Sequence, residues 1–168
     1  MTPPIEELLA SSRFSAVHLE LRDVYTPRDP VFLDWKTGTM GDPAVIYADW
    51  METVRSAVKR GVAVKRARII SEPLSEFIRH EYEVTGLMNL PAGEEVRWLP
   101  RRRTSDLALP GNDFWVFDDQ AVRFGYFAGD GEFIENEVTQ DKAIIRLCMS
   151  AFQAVWERAI AHEDYRPE

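Results

Sequence analysis

In AVHLELRDVY, residues 16–25, Val17, Leu19 and Leu21 alternate with His18, Glu20 and Arg22. A period of two predicts a half-buried strand, one side on a core and the other toward water. PPIEELLASS before it reads as a short helix. TPRDPVFLDWKTGTMGDP after it is broken by Pro27, Pro30, Gly38, Gly41 and Pro43, which predicts a connecting loop around one or two helical turns. From Pro43 the period becomes helical: Ile46, Tyr47, Trp50, Val54 and Val58 share a stripe, with Asp42 placed to cap the helix and Gly61 to end it. The β-branched run VAVKRARIIS then predicts a strand. SEPLSEFIRHEYEVTGLMNL predicts the next helix, with Ser71 as its cap and Pro73 in its first turn.

EEVRWLP follows as a short strand and RRRTSDLALPGN as a loop. In DFWVF, residues 113–117, Phe114 and Val116 point one way and Trp115 and Phe117 the other, so both sides are apolar, as in an inner strand covered on each face. VRFGYFAGDGEFIENEV predicts two more strands joined at Asp130–Gly131, a dipeptide suited to a tight hairpin. Ile144, Ile145, Cys148, Phe152, Val155, Trp156 and Ala159 form one stripe of a long closing helix. Helices interleaved with strands predict an α/β fold. We expect a mixed sheet flanked by helices, a C-terminal three-stranded meander and a closing amphipathic helix, in a single domain over residues 1–168.

The 45% hydrophobic content is that of a folding chain and not of a disordered one. One cysteine, Cys148, leaves no disulfide within the chain and no thiolate zinc cluster, and its place on the apolar stripe makes it a core residue. The start MTPPIEELLASS has neither the basic stretch nor the apolar core of a signal peptide, and no apolar run has the length of a membrane span, so a cytoplasmic protein is expected. The net charge of −8 disfavours nucleic acid as a partner, but the charge is unevenly placed. Residues 55–103 hold 11 Lys/Arg against 6 Asp/Glu and form a basic island between two acidic thirds.

Candidate chemistry follows from that island and from the aspartates of DFWVFDD. Asp118 and Asp119 sit where one strand reverses into the next, and consecutive strand side chains face opposite ways, so a turn accounts for them better than a shared ion. Asp113 is expected to pair with an arginine of the island. His18, His80 and His162 have no metal-ligand spacing, and HExxH, CxxC pairs, GxSxG and GxxxxGK[ST] are all absent. Neither a cofactor nor a metal is therefore expected. The guanidinium groups of Arg101, Arg102 and Arg103, after Pro100, are forks suited to carboxylates or phosphates. A pocket bordered by Ser71, Glu72, Arg97 and Arg101 would lie at strand ends, where open α/β sheets bind ligands. With Arg68 and Asp113 these residues make up the candidate ligand- or partner-binding set, for an acidic protein partner or an anionic small ligand.

VKRARIISEPLSEFIRHEY, AGEEVRWLPRRR, LPGNDFWVFDD and AFQAVWERA together resemble an uncharacterised family of actinobacterial proteins of about this length. The resemblance implies a bacterial cytoplasmic protein, often encoded near helix-turn-helix regulators. Residues 62–160 also resemble, at the level of fold, phospholipase D-like sensor domains of bacterial regulators. Active members of that group carry HxKxxxxD, whereas here Glu20, Tyr82 and Asp164 stand two residues after the three histidines. The expectation is thus a non-enzymatic regulatory or interaction protein that binds a partner or small ligand, with a degenerate phospholipase D-like phosphodiesterase or nuclease as the alternative.

Overall fold

The computed structural model describes residues 2–167. It contains helix α1 (Ile5–Ser11), strand β1 (Ser15–Glu20), helices α2 (Pro30–Thr37), α3 (Pro43–Ile46) and α4 (Ala48–Lys59), and strand β2 (Ala63–Ile70). Helix α5 (Glu76–Val84), a π-helical turn over Thr85–Asn89, the short α6 (Leu90–Ala92) and strand β3 (Glu95–Pro100) follow. The chain closes with β4 (Asp113–Phe117), β5 (Ala121–Phe127), β6 (Phe133–Thr139), α7 (Lys142–Arg158) and the two-residue β7 (Ile160–Ala161). The strands form one mixed seven-stranded sheet in the order β6-β5-β4-β1-β2-β3-β7. β1, β2 and β3 run parallel, and the other pairings are antiparallel.

Strand pleating gives the two faces of this sheet different chemistry. Toward α7 point Val17, Leu19, Ala67, Ile69, Leu99, Phe114, Val116 and Val122, which pack on Ile145, Cys148, Ala151, Phe152 and Val155 in an unbroken apolar core. The opposite face is covered by the helices of the first two thirds of the chain and holds two separate apolar clusters. One gathers Leu9, Ala16, Val54, Val64, Trp115 and Phe117 beneath α1 and α4. The other gathers Tyr25, Phe32, Ile70, Phe77, Val96, Trp98 and Tyr165 beneath α2 and α5. Between them His18, Glu20, Arg66, Arg68 and Asp113 cross the sheet side by side, since His18 is opposite both Arg66 and Trp115, and Glu20 is opposite Arg68.

Several boundaries differ from the sequence expectations. The stripe from Pro43 makes two helices, broken at Tyr47 (φ −105°, ψ 19°), although Asp42 does cap the first and Gly61 (φ 92°) follows the second. Ser71 caps nothing. Its backbone N–H and hydroxyl both bond Asp23, and the helix starts at Glu76, where the Ser75 hydroxyl accepts from Ile78 N. β1 is not half-buried, because its polar side is roofed by helices and both faces are largely closed.

Candidate functional site

Strand alternation carries Glu20, Arg66 and Arg68 inward, where each unpaired charge would be costly, so the strip is tied into a network. Arg66 Nη1 donates to Glu20 Oε1 at 2.7 Å, and its Nε donates to Glu94 Oε1. Arg68 Nε lies 2.7 Å from Glu20 Oε2, and its Nη1 is 3.2 Å from both Glu81 Oε2 and Thr85 Oγ1. Asn89 Nδ2 donates to Glu94 Oε2 at 2.6 Å, which places α5 and the π-turn against the strip. Each guanidinium also lies over an indole, Arg66 over Trp115 at 5.4 Å and Arg68 over Trp98 at 5.0 Å. Burial opposes ionisation of Glu20, yet Arg68 and Arg66 together hold it below the ordinary glutamate range. Burial raises Glu81, and Arg68 offsets this only in part. Such a network is a poor way to stabilise a core, since apolar replacements are often neutral or better, while loss of one partner costs roughly 3–5 kcal/mol.

Asp113 ends the strip. Its Oδ1 accepts from Leu21 N at 2.9 Å and its Oδ2 from the Tyr25 hydroxyl, so it anchors the loop that leaves β1. Burial pushes this carboxyl up to about 7. The expected ion pair between Asp113 and the basic island does not form: Arg66 and Arg68 are held by Glu20, Glu81 and Glu94.

Two cavities flank the network. One, of about 160 Å³, is lined by His18, Glu20, Tyr25, Asp113, Phe114, Trp115, Arg123, Gly125, Phe127 and Asn136. The other, of about 190 Å³, is lined by Thr26, Asp29, Phe32, Tyr47, Arg66, Arg68, Phe77, His80, Glu81, Val84, Met88 and Asn89. Tyr25 borders the first and Thr26 the second, so the loop after β1 lies across the strip between them. Polar atoms in both cavities are buried without a hydrogen bond: His18 Nδ1 and Arg123 Nε in the first, His80 Nδ1 and Asn89 Oδ1 in the second. His18 stacks on Trp115 (4.3 Å, 15°). Burial first and then Arg66 lower its pKa well below the usual value, so the ring is neutral. Such concentrations of buried, shifted and unsatisfied groups mark functional sites more often than structural ones. No three His, Cys, Asp or Glu among the described residues gather as metal ligands.

The structure separates the residues singled out from sequence. Ser71, Glu72, Arg101 and Arg102 do line a common cleft of about 700 Å³ with Pro73, Pro100 and Ser105, at the ends of β2 and β3. Within it Arg101 is occupied, donating to Ser71 Oγ, Leu21 O and Asp23 Oδ2, and Glu72 accepts from the Tyr165 hydroxyl. Arg97 is elsewhere, on the α7 side, over Trp156 at 4.3 Å and bonded to Trp156 O. Arg103 is exposed, and its carbonyl accepts from Arg158. Arg68 and Asp113 belong to the buried strip. The basic island is therefore dispersed over three regions and forms no single face. Sequence reasoning missed His18, Glu20, Arg66, Trp115 and Arg123 as one set. The available signal was the HxE and RxR alternation of β1 and β2 opposite DxW in β4.

Residues 3–167 match the family model described as Domain of unknown function (DUF6879). The chain belongs to this family. No curated protein matches its sequence. Among solved structures it is similar to TrmBL2, an archaeal chromatin protein described as showing a novel mode of DNA binding, with TM-score 0.51, 15% identity, and 92% of this chain and 48% of that one covered. This chain thus spans about half of that protein. It is also similar to Nuc from Salmonella typhimurium, a phospholipase D family member (TM-score 0.54, 14% identity, 96% and 88% covered), and to NucT from Helicobacter pylori (TM-score 0.52, 16% identity, 94% and 87% covered). At these identities the likeness is one of fold.

Proposed function

We propose that this protein is a ligand-binding domain without a catalytic step of its own, which reports occupancy of the polar sheet face to a partner protein. The observation that carries the reading is the cavity above Trp115, where His18 Nδ1 and Arg123 Nε are buried with no hydrogen bond beside a costly ion network. A purely structural core has no use for such groups. A small ligand supplies the missing partners, and the aromatic lining supplies contact area. The loop from Leu21 to Asp29 is anchored on Asp113 and covers both cavities, so it is the element through which occupancy would reach the surface. Nothing in the charge layout favours the DNA binding described for the archaeal chromatin protein: the net charge is −8 and Arg66 and Arg68 are internal.

Gly125 provides the test. A Cβ there would stand 3.3 Å from the Phe127 ring, closer than ordinary contact, and 3.7 Å from Asn136 Oδ1, so Gly125→Leu crowds the cavity at this wall and obstructs it. In a metabolite screen by thermal shift, at least one compound should stabilise the wild-type chain and not the cooperatively folded Gly125→Leu variant. A screen with no stabilising compound overturns the reading.

The fold likeness to the Salmonella phospholipase D family member favours a second reading, a degenerate phosphodiesterase. It predicts turnover of bis(p-nitrophenyl) phosphate that is lost in His18→Asn. Identical absorbance traces with protein and with buffer eliminate it.

A further inference from the structure

The cavity above Trp115 has a charge character that narrows its ligand, an argument that rests on the ligand-binding reading above. Glu20 is matched by Arg66 and Arg68. Asp113 is engaged by Leu21 N and the Tyr25 hydroxyl, and burial keeps it largely protonated below about pH 7. His18 is neutral, with its Nδ1 3.7 Å from Glu20 Oε1 and without a hydrogen bond. Arg123 remains. Its place opposite Trp115 in the β4–β5 pairing directs it onto the polar face, and it has no ion pair or hydrogen bond among the described residues. Glu6, which is not part of the lining, is the acidic group that acts on Arg123, so the free cation within the lining is one guanidinium, beside an imidazole with an unused N–H. Both are donors, and a guanidinium fork matches a carboxylate in shape.

We infer that this cavity binds a small carboxylate with a flat apolar body, its anionic end held by Arg123 and His18 and its body against Trp115 and Phe127. A volume of about 160 Å³ admits a single ring and little more. The cavity is narrow beside Gly125, where even a Cβ would stand only 3.3 Å from the Phe127 ring, so the ligand's body has to be flat there. A dianion such as a phosphate monoester suits the site less well, because Glu20 and Asp113 lie on the same wall and only one free guanidinium faces them.

Benzoate, benzyl alcohol and benzylamine test this, being close in size and different in charge. Each is titrated into the isotopically labelled full chain while the Trp115 indole N–H and the amides of residues 123–127 are followed by NMR. Benzoate should shift these resonances saturably and more tightly than either other probe, and Arg123→Gln should weaken benzoate about tenfold or more. Arg123→Lys, which keeps the charge should Gln disturb folding, should retain part of that affinity. If benzylamine or benzyl alcohol binds here as well as benzoate, the carboxylate inference falls and the ligand-binding reading stands. If no probe shifts these resonances while the metabolite screen also finds nothing, both fall.

Discussion

Asp113 sets the acid–base behaviour of the site. Its folded carboxyl titrates near 7 because it is buried, against an ordinary value of about 3.9 in an unfolded chain. Between those values the folded state holds a proton that the unfolded state has released, so stability falls as pH rises through the window and the group contributes nothing further above it. From pH 5 to pH 8 the loss is on the order of 2 kcal/mol. Asn at 113 is uncharged like the protonated form: Oδ1 still accepts from Leu21 N, while Nδ2 becomes a donor to the Tyr25 oxygen, reversing the bond that the Tyr25 hydroxyl donates to Asp113 Oδ2. Asp113→Asn should therefore gain on wild type by about 2 kcal/mol between pH 5 and pH 8, with the two converging only below about pH 4. Urea unfolding of both proteins at pH 5, 6, 7 and 8 checks this. Glu81, also raised by burial, adds the same sign of slope in both proteins, and Asp113 is only the smallest of the causes of its shift. A difference independent of pH would contradict the assignment of the proton to Asp113.

At the scale of elements, the best-specified unit is the β4–β5 turn. Asp118 and Asp119 have φ 51° and 54°, and Gln120 N bonds Phe117 O, the pattern of a type I′ turn. Asp118 also accepts the N–H groups of Arg13, Phe14 and Ser15 at 2.7, 2.7 and 2.9 Å, fastening the start of β1 to the turn. Asp118→Ala should cost about 1–3 kcal/mol, whereas Asp119→Gly, which relieves a left-handed backbone at no contact, should stabilise by about 0.5–1 kcal/mol. Chemical denaturation of the two single variants measures both, and equal signs would refute the division of labour. This turn was legible in the sequence because its causes are local: two turn-favouring residues between alternating apolar runs. The cap at Ser75 in place of Ser71, and β7, were not, because each is decided by a distant partner. Asp23 claims Ser71, for example, from 48 positions away.

For the whole molecule, legibility divides by sheet face. The side under α7 is apolar throughout, and the stripe from Ile144 to Trp156 announced it. The polar side of β1 and β2 has the same period of two as a solvated strand, and periodicity alone does not say that helices cover it. Charge therefore looked like surface where it is interior. The α7 side supplies a direct check on this division, since Cys148 is fully buried there and burial pushes its thiol up to about 11. Thiolate is the reactive form, so modification at neutral pH needs both exposure and deprotonation. In the native state an aromatic disulfide reagent should label Cys148 orders of magnitude more slowly than in urea, at a rate set by undocking of α7. A compound bound on the polar face should slow labelling only if α7 opens by global unfolding, and should leave it unchanged if α7 detaches alone. Labelling of the native protein as fast as that of the unfolded chain would mean that α7 does not seal the apolar face. The two-faced sheet, with core on one side and site on the other, would then have to be abandoned.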